Sequence, residues 1–144
     1  MIQLDPKVWG PHMWFFINTI AMTYPNRPNA ITKKKYYDFM QNLPMFIPIE
    51  QMSGEFSKLL DEYPIQPYLD TKESFIRWIW FIHNKINEKL EKPQITLNDF
   101  YKQYYEEYKP KNVKLAEYYK MRSKIIYAVI ILALIFVIFY LYDK

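Results

Sequence analysis

The stretch FIHNKINEKLEKP, residues 81–93, gathers the side chains of this sequence best suited to hold a ligand. His83 is one of only two histidines, Asn84 follows it, and Asn87 stands one helical turn further on. On a helix His83 and Asn87 share a face and present donors and acceptors at two heights. A flat heteroaromatic ligand lying along that face can be hydrogen-bonded by both. Lys89 and Lys92 are placed to reach phosphate oxygens, and Pro93 ends the helix. Nearby Trp78 and Trp80 offer ring faces for stacking. By itself, a histidine on an apolar helical face is more often a packed side chain than a ligand contact. A metal site is not expected, since His12 is the only other histidine and the chain has no cysteine. The same absence excludes disulfides and dithiol redox chemistry by this chain alone.

A helix must carry these residues, and the pattern predicts one over 71–91. Asp70 with Glu73 suggests a capping box at its start. Ile76, Trp80, His83 and Asn87 recur along one face at spacings of three and four. Four further soluble helices are expected. The first opens at Gly10–Pro11 and runs to about Tyr24, with Trp14, Ile17, Ala21 and Tyr24 on its apolar stripe. The second covers about Ala30 to Leu43 and stops before Pro44; PMFIP, residues 44–48, then reads as extended. The third starts just after Pro48 and carries Phe56, Leu59 and Leu60. Thr96 with Asp99 suggests a capping box for a short fifth helix ending near Tyr108. No alternating strand pattern occurs, so the expected fold is all-α: a four-helix bundle plus a short fifth helix.

Beyond this domain, expected to occupy residues 1–108, lies a basic segment, 109–124, and then IIYAVIILALIFVIFYLY, residues 125–142. Those 18 residues are all apolar or aromatic. As a helix they reach ~27 Å, close to the hydrocarbon thickness of a bilayer. Tyr127, Tyr140 and Tyr142 sit near the two ends, where amphipathic rings prefer the interface. Only Asp143 and Lys144 follow, which suggests a transmembrane tail anchor. Lys109, Lys111, Lys114, Lys120, Arg122 and Lys124 precede it and place the N-terminal domain on the cytoplasmic side. Of the whole chain, 19% is aromatic, which argues for a packed protein and against a disordered one. Only two glycines occur, which disfavours a Gly-rich phosphate loop. The net charge of +4 comes without a dense arginine stripe, so nucleic acid is not an expected partner.

HNKINEKLEKP resembles the flavin-binding signature of the ALR/Erv sulfhydryl oxidases, H-N-x-x-N-x-x-L-x-K-P. WGPHMWFFINTIAMTYP, residues 9–25, resembles that family's opening helix, W-G-x-x-x-W followed by Y-P. The resemblance covers about residues 7–100, and the compact length is similar to that of viral members. It implies a homodimeric five-helix domain that holds FAD non-covalently. Gly10 and Trp14 would line the adenine and flavin side of the cleft, and Tyr24 would approach the isoalloxazine region. His83, Asn84, Asn87, Lys89 and Lys92 would hold the adenine, ribose and pyrophosphate. Two positions depart from the pattern: Pro11 where the family commonly has Arg, and Asn18 where it commonly has His.

A third departure bears on activity. Where family members place C-x-x-C at a helix start, this chain has PIEQM, with Ile49 and Met52 at the two redox positions. Isoleucine has no sulfur, and a thioether forms neither a thiolate nor a disulfide. The resemblance therefore implies a homologue that keeps the fold, and with it the FAD cleft, but lacks the active pair. An alternative is a structural membrane protein, for instance a component of a virion membrane, that reuses the bundle without flavin. An active thiol oxidase is the least favoured outcome.

Overall fold

Asp5 begins the first helix: its carboxylate accepts the Lys7 amide at 2.8 Å, and Pro6 fills the first helical position, where no N–H is needed. In the computed structural model, which describes residues 4–143, α1 is Pro6–Met22. The helix thus starts five residues before the expected Pro11. Pro11 lies inside it and has no N–H to give the Lys7 carbonyl; both residues are exposed, so water can serve that oxygen.

Asn29 caps α2 (Ala30–Asn42) by accepting from the Thr32 amide at 2.8 Å. The expected extended PMFIP segment is instead a 3-10 turn over Leu43–Phe46, closed by Ile47 N to Pro44 O at 3.1 Å. Burial of Leu43 and Pro44 favours the turn, because it folds both under the bundle. A Ser53 hydroxyl then donates to the Pro44 carbonyl at 2.7 Å and ties the turn to α3 (Glu50–Glu62).

The start of α4 (Lys72–Lys89) corrects the expected Asp70–Glu73 capping box by one residue. Thr71, in extended geometry, accepts from the Ser74 amide at 3.1 Å, and the Ser74 hydroxyl accepts from the Thr71 amide at 3.3 Å. Asp70 pairs with Lys33 of α2 instead, and Glu73 with Arg77 at 2.8 Å. The end of α4 is a Schellman motif. Lys92 N donates to Asn87 O at 2.8 Å and Glu91 N to Glu88 O at 3.1 Å, with Glu91 at a left-handed φ of 53°. Thr96 caps α5 (Leu97–Glu106) through the Asp99 amide at 3.1 Å, while its hydroxyl donates to the Asp99 carboxylate at 2.7 Å.

The chain divides into two compact units, one through Tyr104 and one from Tyr105. In the first, α1 to α4 form a bundle to which α5 adds Phe100 and Tyr104. α1 and α4 run antiparallel: Trp14 meets His83 at one end and Tyr24 meets Phe75 at the other. α3 and α4 are antiparallel too, with Lys89 on Glu55 at one end and the Trp78 indole on the Tyr63 carbonyl at the other. Ile17, Ala21, Met40, Phe56, Leu59, Phe75, Ile79 and Ile82 fill the space between. In the second unit, the basic segment and the apolar stretch are one helix, α6 (Lys111–Tyr142). It is long and apolar enough to cross a membrane. The described residues contain no strand, and the architecture is the expected all-α one.

Candidate functional site

The antiparallel packing brings three helix segments to one end of the bundle: the first half of α1, the start of α3 and the last turns of α4. There the rings of Trp14 and His83 stack with centroids 4.0 Å apart and planes 13° apart. Phe100 of α5 meets the imidazole edge-on at 6.4 Å. His83 is largely buried, and burial together with the nearby Lys92 charge lowers its pKa to about 4. At neutral pH it is therefore an uncharged ring with one donor and one acceptor nitrogen.

Three buried polar atoms here and along α1 have no partner: His83 Nδ1, Asn18 Oδ1 and Trp9 Nε1. Buried polar atoms are normally paired, and leaving one unpaired costs about 1–3 kcal/mol. An indole donor, an amide acceptor and an imidazole nitrogen able to serve as either suit a flat ligand carrying both kinds of group. Asn18, 9% exposed and one turn beyond Trp14, was legible in the sequence only as a departure from a pattern. Trp9 had no signal beyond its place in the W-G motif.

The remaining candidates divide. Asn87 is buried beside His83's helical face, and its carbonyl accepts from both Leu90 and Lys92 amides, so it ends the helix that carries the site. Gly10 has no protein atom within 4 Å of where a side chain would project, which leaves open space near Trp14. Lys92 has no ion pair among the described residues, whereas Lys89 is held by Glu55 at 2.6 Å. Lys89 and Lys58 in turn hold the Glu55 carboxyl below its ordinary range.

Asn84 is engaged elsewhere. Its amide accepts from Ile95 N at 2.9 Å and donates to Ile95 O at 2.9 Å. The Trp80 indole donates to the same carbonyl at 2.8 Å. Both side chains therefore pin the strand of chain that follows Pro93. They also line a cavity of about 510 Å³ with Lys85, Gln94 and Leu97, on the face of α4 next to that of His83. Trp78 does not offer a free ring: it is 1% exposed in the core. Tyr24 is not brought to Trp14 and His83. It lies just past the end of α1, at the far end of the bundle, packed on Phe75 and Tyr36 with its hydroxyl on the Leu69 carbonyl at 2.8 Å.

Ile49 and Met52 open α3 at the same end of the bundle as Trp14 and His83. Ile49 is the N-cap residue and supplies no side-chain hydrogen bond to the first amides. Glu50 places a carboxylate in the first turn, where the helix end favours negative charge, whereas the isoleucine at the cap offers none. The unpaired polar atoms thus suit a flat, polar cofactor lying against the edge of the Trp14–His83 stack, not between its two rings, and the start of α3 does not offer a thiolate.

His83 also makes a stability prediction. A folded pKa of about 4 against an ordinary 6.5 means that the unfolded chain takes up the proton first as pH falls. Its contribution is complete above about pH 6.5, is lost progressively down to about pH 4, and levels off below. At 1.36 kcal/mol per pKa unit the loss is about 3 kcal/mol. Urea unfolding of His83→Phe should lack this slope. An unchanged acid limb in that variant would remove His83 as its source.

Residues 11–106 match the profile of the Erv1/Alr family. A probable FAD-linked sulfhydryl oxidase of Acanthamoeba polyphaga mimivirus is 28% identical over 94 residues, covering 65% of this chain and 66% of that protein's length. The crystal structure of the yeast Erv1 core superposes with a TM-score of 0.65 at 26% identity, covering 72% of this chain and 86% of that one. The FAD-binding domain of Erv1 from Saccharomyces cerevisiae gives the same score over 71% of this chain and 95% of its own. Bundle topology, the paired aromatic and histidine motifs and these matches agree, and the chain belongs to the Erv1/Alr family.

Proposed function

We propose that this chain is a membrane-anchored, flavin-holding member of the family that has lost thiol oxidation. The observation that carries it is the start of α3. Ile49 and Met52 stand where the redox pair would be, at the same end of the bundle as the Trp14–His83 stack. When bound, FAD supplies a two-electron acceptor. The chain's own part is binding and exclusion. Trp14 and His83 give a flat ring a surface to stack on, Asn18 and His83 give it hydrogen-bond partners, and Lys92 offers charge to a pyrophosphate. Ile49 and Met52, at the start of α3, supply no thiolate to such a ring.

The domain proper is residues 1–108, the basic segment 109–124 leads into the membrane, and 125–142 forms the span. The domain lies on the cytoplasmic side, and a virion membrane is one setting for such an anchor. A homodimer is proposed through α1 and α2. Ile17, Ala21 and Met40 are buried inside the bundle and take no part in such a face. The exposed apolar side is made by Val8, Phe15 and Phe16 of α1 with Ile31 of α2, and Phe16 meets Phe39 edge-on at 6.3 Å.

The alternative, a structural protein without flavin, is favoured by one observation: Trp14 and His83 already stack on each other, with no room for a third ring between them. The full chain purified in detergent separates the two. A flavin absorbance band, or its appearance on adding FAD, supports the cofactor; a chain that takes up none supports the structural alternative. In membranes oriented cytoplasm-out, added protease should digest residues 1–108, and full protection would reverse the topology. Sedimentation in the same detergent should give two chains per particle, and a strict monomer would remove the dimer.

A further inference from the structure

The cations of the second unit fall into two groups. Lys109 binds Glu106 at 2.8 Å and Glu117 at 3.0 Å, and Lys114 lies 3.6 Å from Glu107. Lys120, Arg122 and Lys124 have no ion pair among the described residues. No Asp or Glu occurs between Glu117 and Asp143. Apart from Lys111 at the start of α6, which also has no ion pair among the described residues, unneutralised positive charge is therefore gathered in the last turn and a half before Ile125, where the apolar run begins.

α6 is continuous through this point, so helical rise fixes depth. Lys120 stands about 7.5 Å and Lys124 about 1.5 Å short of Ile125. The polar layer of one leaflet is about 5–8 Å deep, the difference between the full bilayer and its hydrocarbon core shared between two sides. The three cations span that layer. Lys120 and Lys124 project within about 40° of each other and Arg122 toward the opposite side. A groove in a protein or a nucleic acid meets a helix from one side, whereas charge distributed around the helix suits a medium that surrounds it. Tyr118, Tyr119 and Tyr127 are exposed at the same level, where aromatic rings favour the interface.

We infer that residues 118–124 bind anionic phospholipid headgroups, so that the anchor favours a leaflet carrying negative charge. The inference rests on α6 being a membrane anchor. Each juxtamembrane cation contributes about fivefold to partition onto a negative leaflet, and salt weakens the effect.

The test uses the full chain in phosphatidylcholine vesicles with trace spin-labelled phosphatidylserine or phosphatidylcholine, and reads the fraction of label immobilised by the protein. The expected result is a severalfold preference for the serine lipid that shrinks in high salt. The combined variant Lys120→Gln, Arg122→Gln and Lys124→Gln should bring the ratio close to one. Equal immobilisation of the two labels by the unmodified chain, or a preference unchanged in the variant, overturns the inference. Binding of a duplex oligonucleotide to the chain in neutral vesicles, without any lipid preference, assigns the cations to nucleic acid and also overturns it. Alkaline carbonate extraction tests the anchor separately. A chain released by carbonate removes the anchor and the inference with it, whereas a retained chain without lipid preference removes the inference alone.

Discussion

Given dithiothreitol and oxygen, the purified chain is expected to consume no more oxygen than free FAD does. The reason is chemical: transfer from a dithiol to a flavin in this kind of site begins with a thiolate, and the chain contains no cysteine. Losing a nucleophile removes the route, so the expected deficit is complete. The converse is more informative. Ile49 is the N-cap of α3 and its side chain leaves the helix amides unserved, so Ile49→Cys places a thiol where the helix end lowers its pKa. Met52→Cys sets a second thiol one turn away. The double variant, loaded with FAD, should show oxygen uptake that depends on dithiol and on both cysteines. Both replacements are also smaller than the residues they replace, so they add no bulk toward a bound flavin, and FAD affinity should not fall. Peroxide production by the unmodified chain above the free-FAD level would sink the inactivity claim. A flavin-loaded double variant that stays inert would show that more than the pair has been lost.

Replacing Trp14 by Ala should cost most of the flavin affinity. The indole stacks on His83 with centroids 4.0 Å apart and offers a large flat surface at this end of the bundle. Stacking of a base on an aromatic side chain is worth about 1–3 kcal/mol by alanine substitution, or roughly 5–150-fold in affinity. Trp14 also packs against the core, so a control is needed. Trp14→Phe keeps a ring in place and should recover much of the binding, while thermal unfolding reports whether either variant has lost the fold. Titration of FAD by quenching of its fluorescence gives the comparison. A folded Trp14→Ala chain that binds FAD as tightly as the unmodified one would place the cofactor away from α1.

Several elements follow from short-range chemistry and were legible in one dimension. That residues 125–142 are long and apolar enough to cross a membrane is a matter of length and composition, which no tertiary contact alters. Helix α4 was legible because Ile76, Trp80, His83 and Asn87 repeat at the helical period and Pro93 follows. The absence of cysteine is absolute in any fold. Boundaries decided by competition between neighbours were not legible. Thr71 displaced Asp70 as the cap because Asp70 has a cation on another helix, Lys33, to pair with. Leu43 and Pro44 formed a turn because burial outweighed the extended preference that proline imposes on the residue before it.

The site shows the same division more sharply. The sequence by itself determined which side chains are candidates for the site: His83 and Asn87 on one helical face, Trp14 in another segment, and Ile49 with Met52 where the family resemblance would put thiols. Only the tertiary structure decided what each is free to do. Antiparallel packing of α1 on α4 put Trp14 against His83 and carried Tyr24 to the far end of the bundle. Packing of α3 on α4 gave Lys89 to Glu55, and the return of the chain after Pro93 gave both ends of the Asn84 amide to Ile95. Identity and spacing are local properties, but a hydrogen bond has one geometry and few partners, so which polar group is left over for a ligand depends on contacts between residues far apart in the chain.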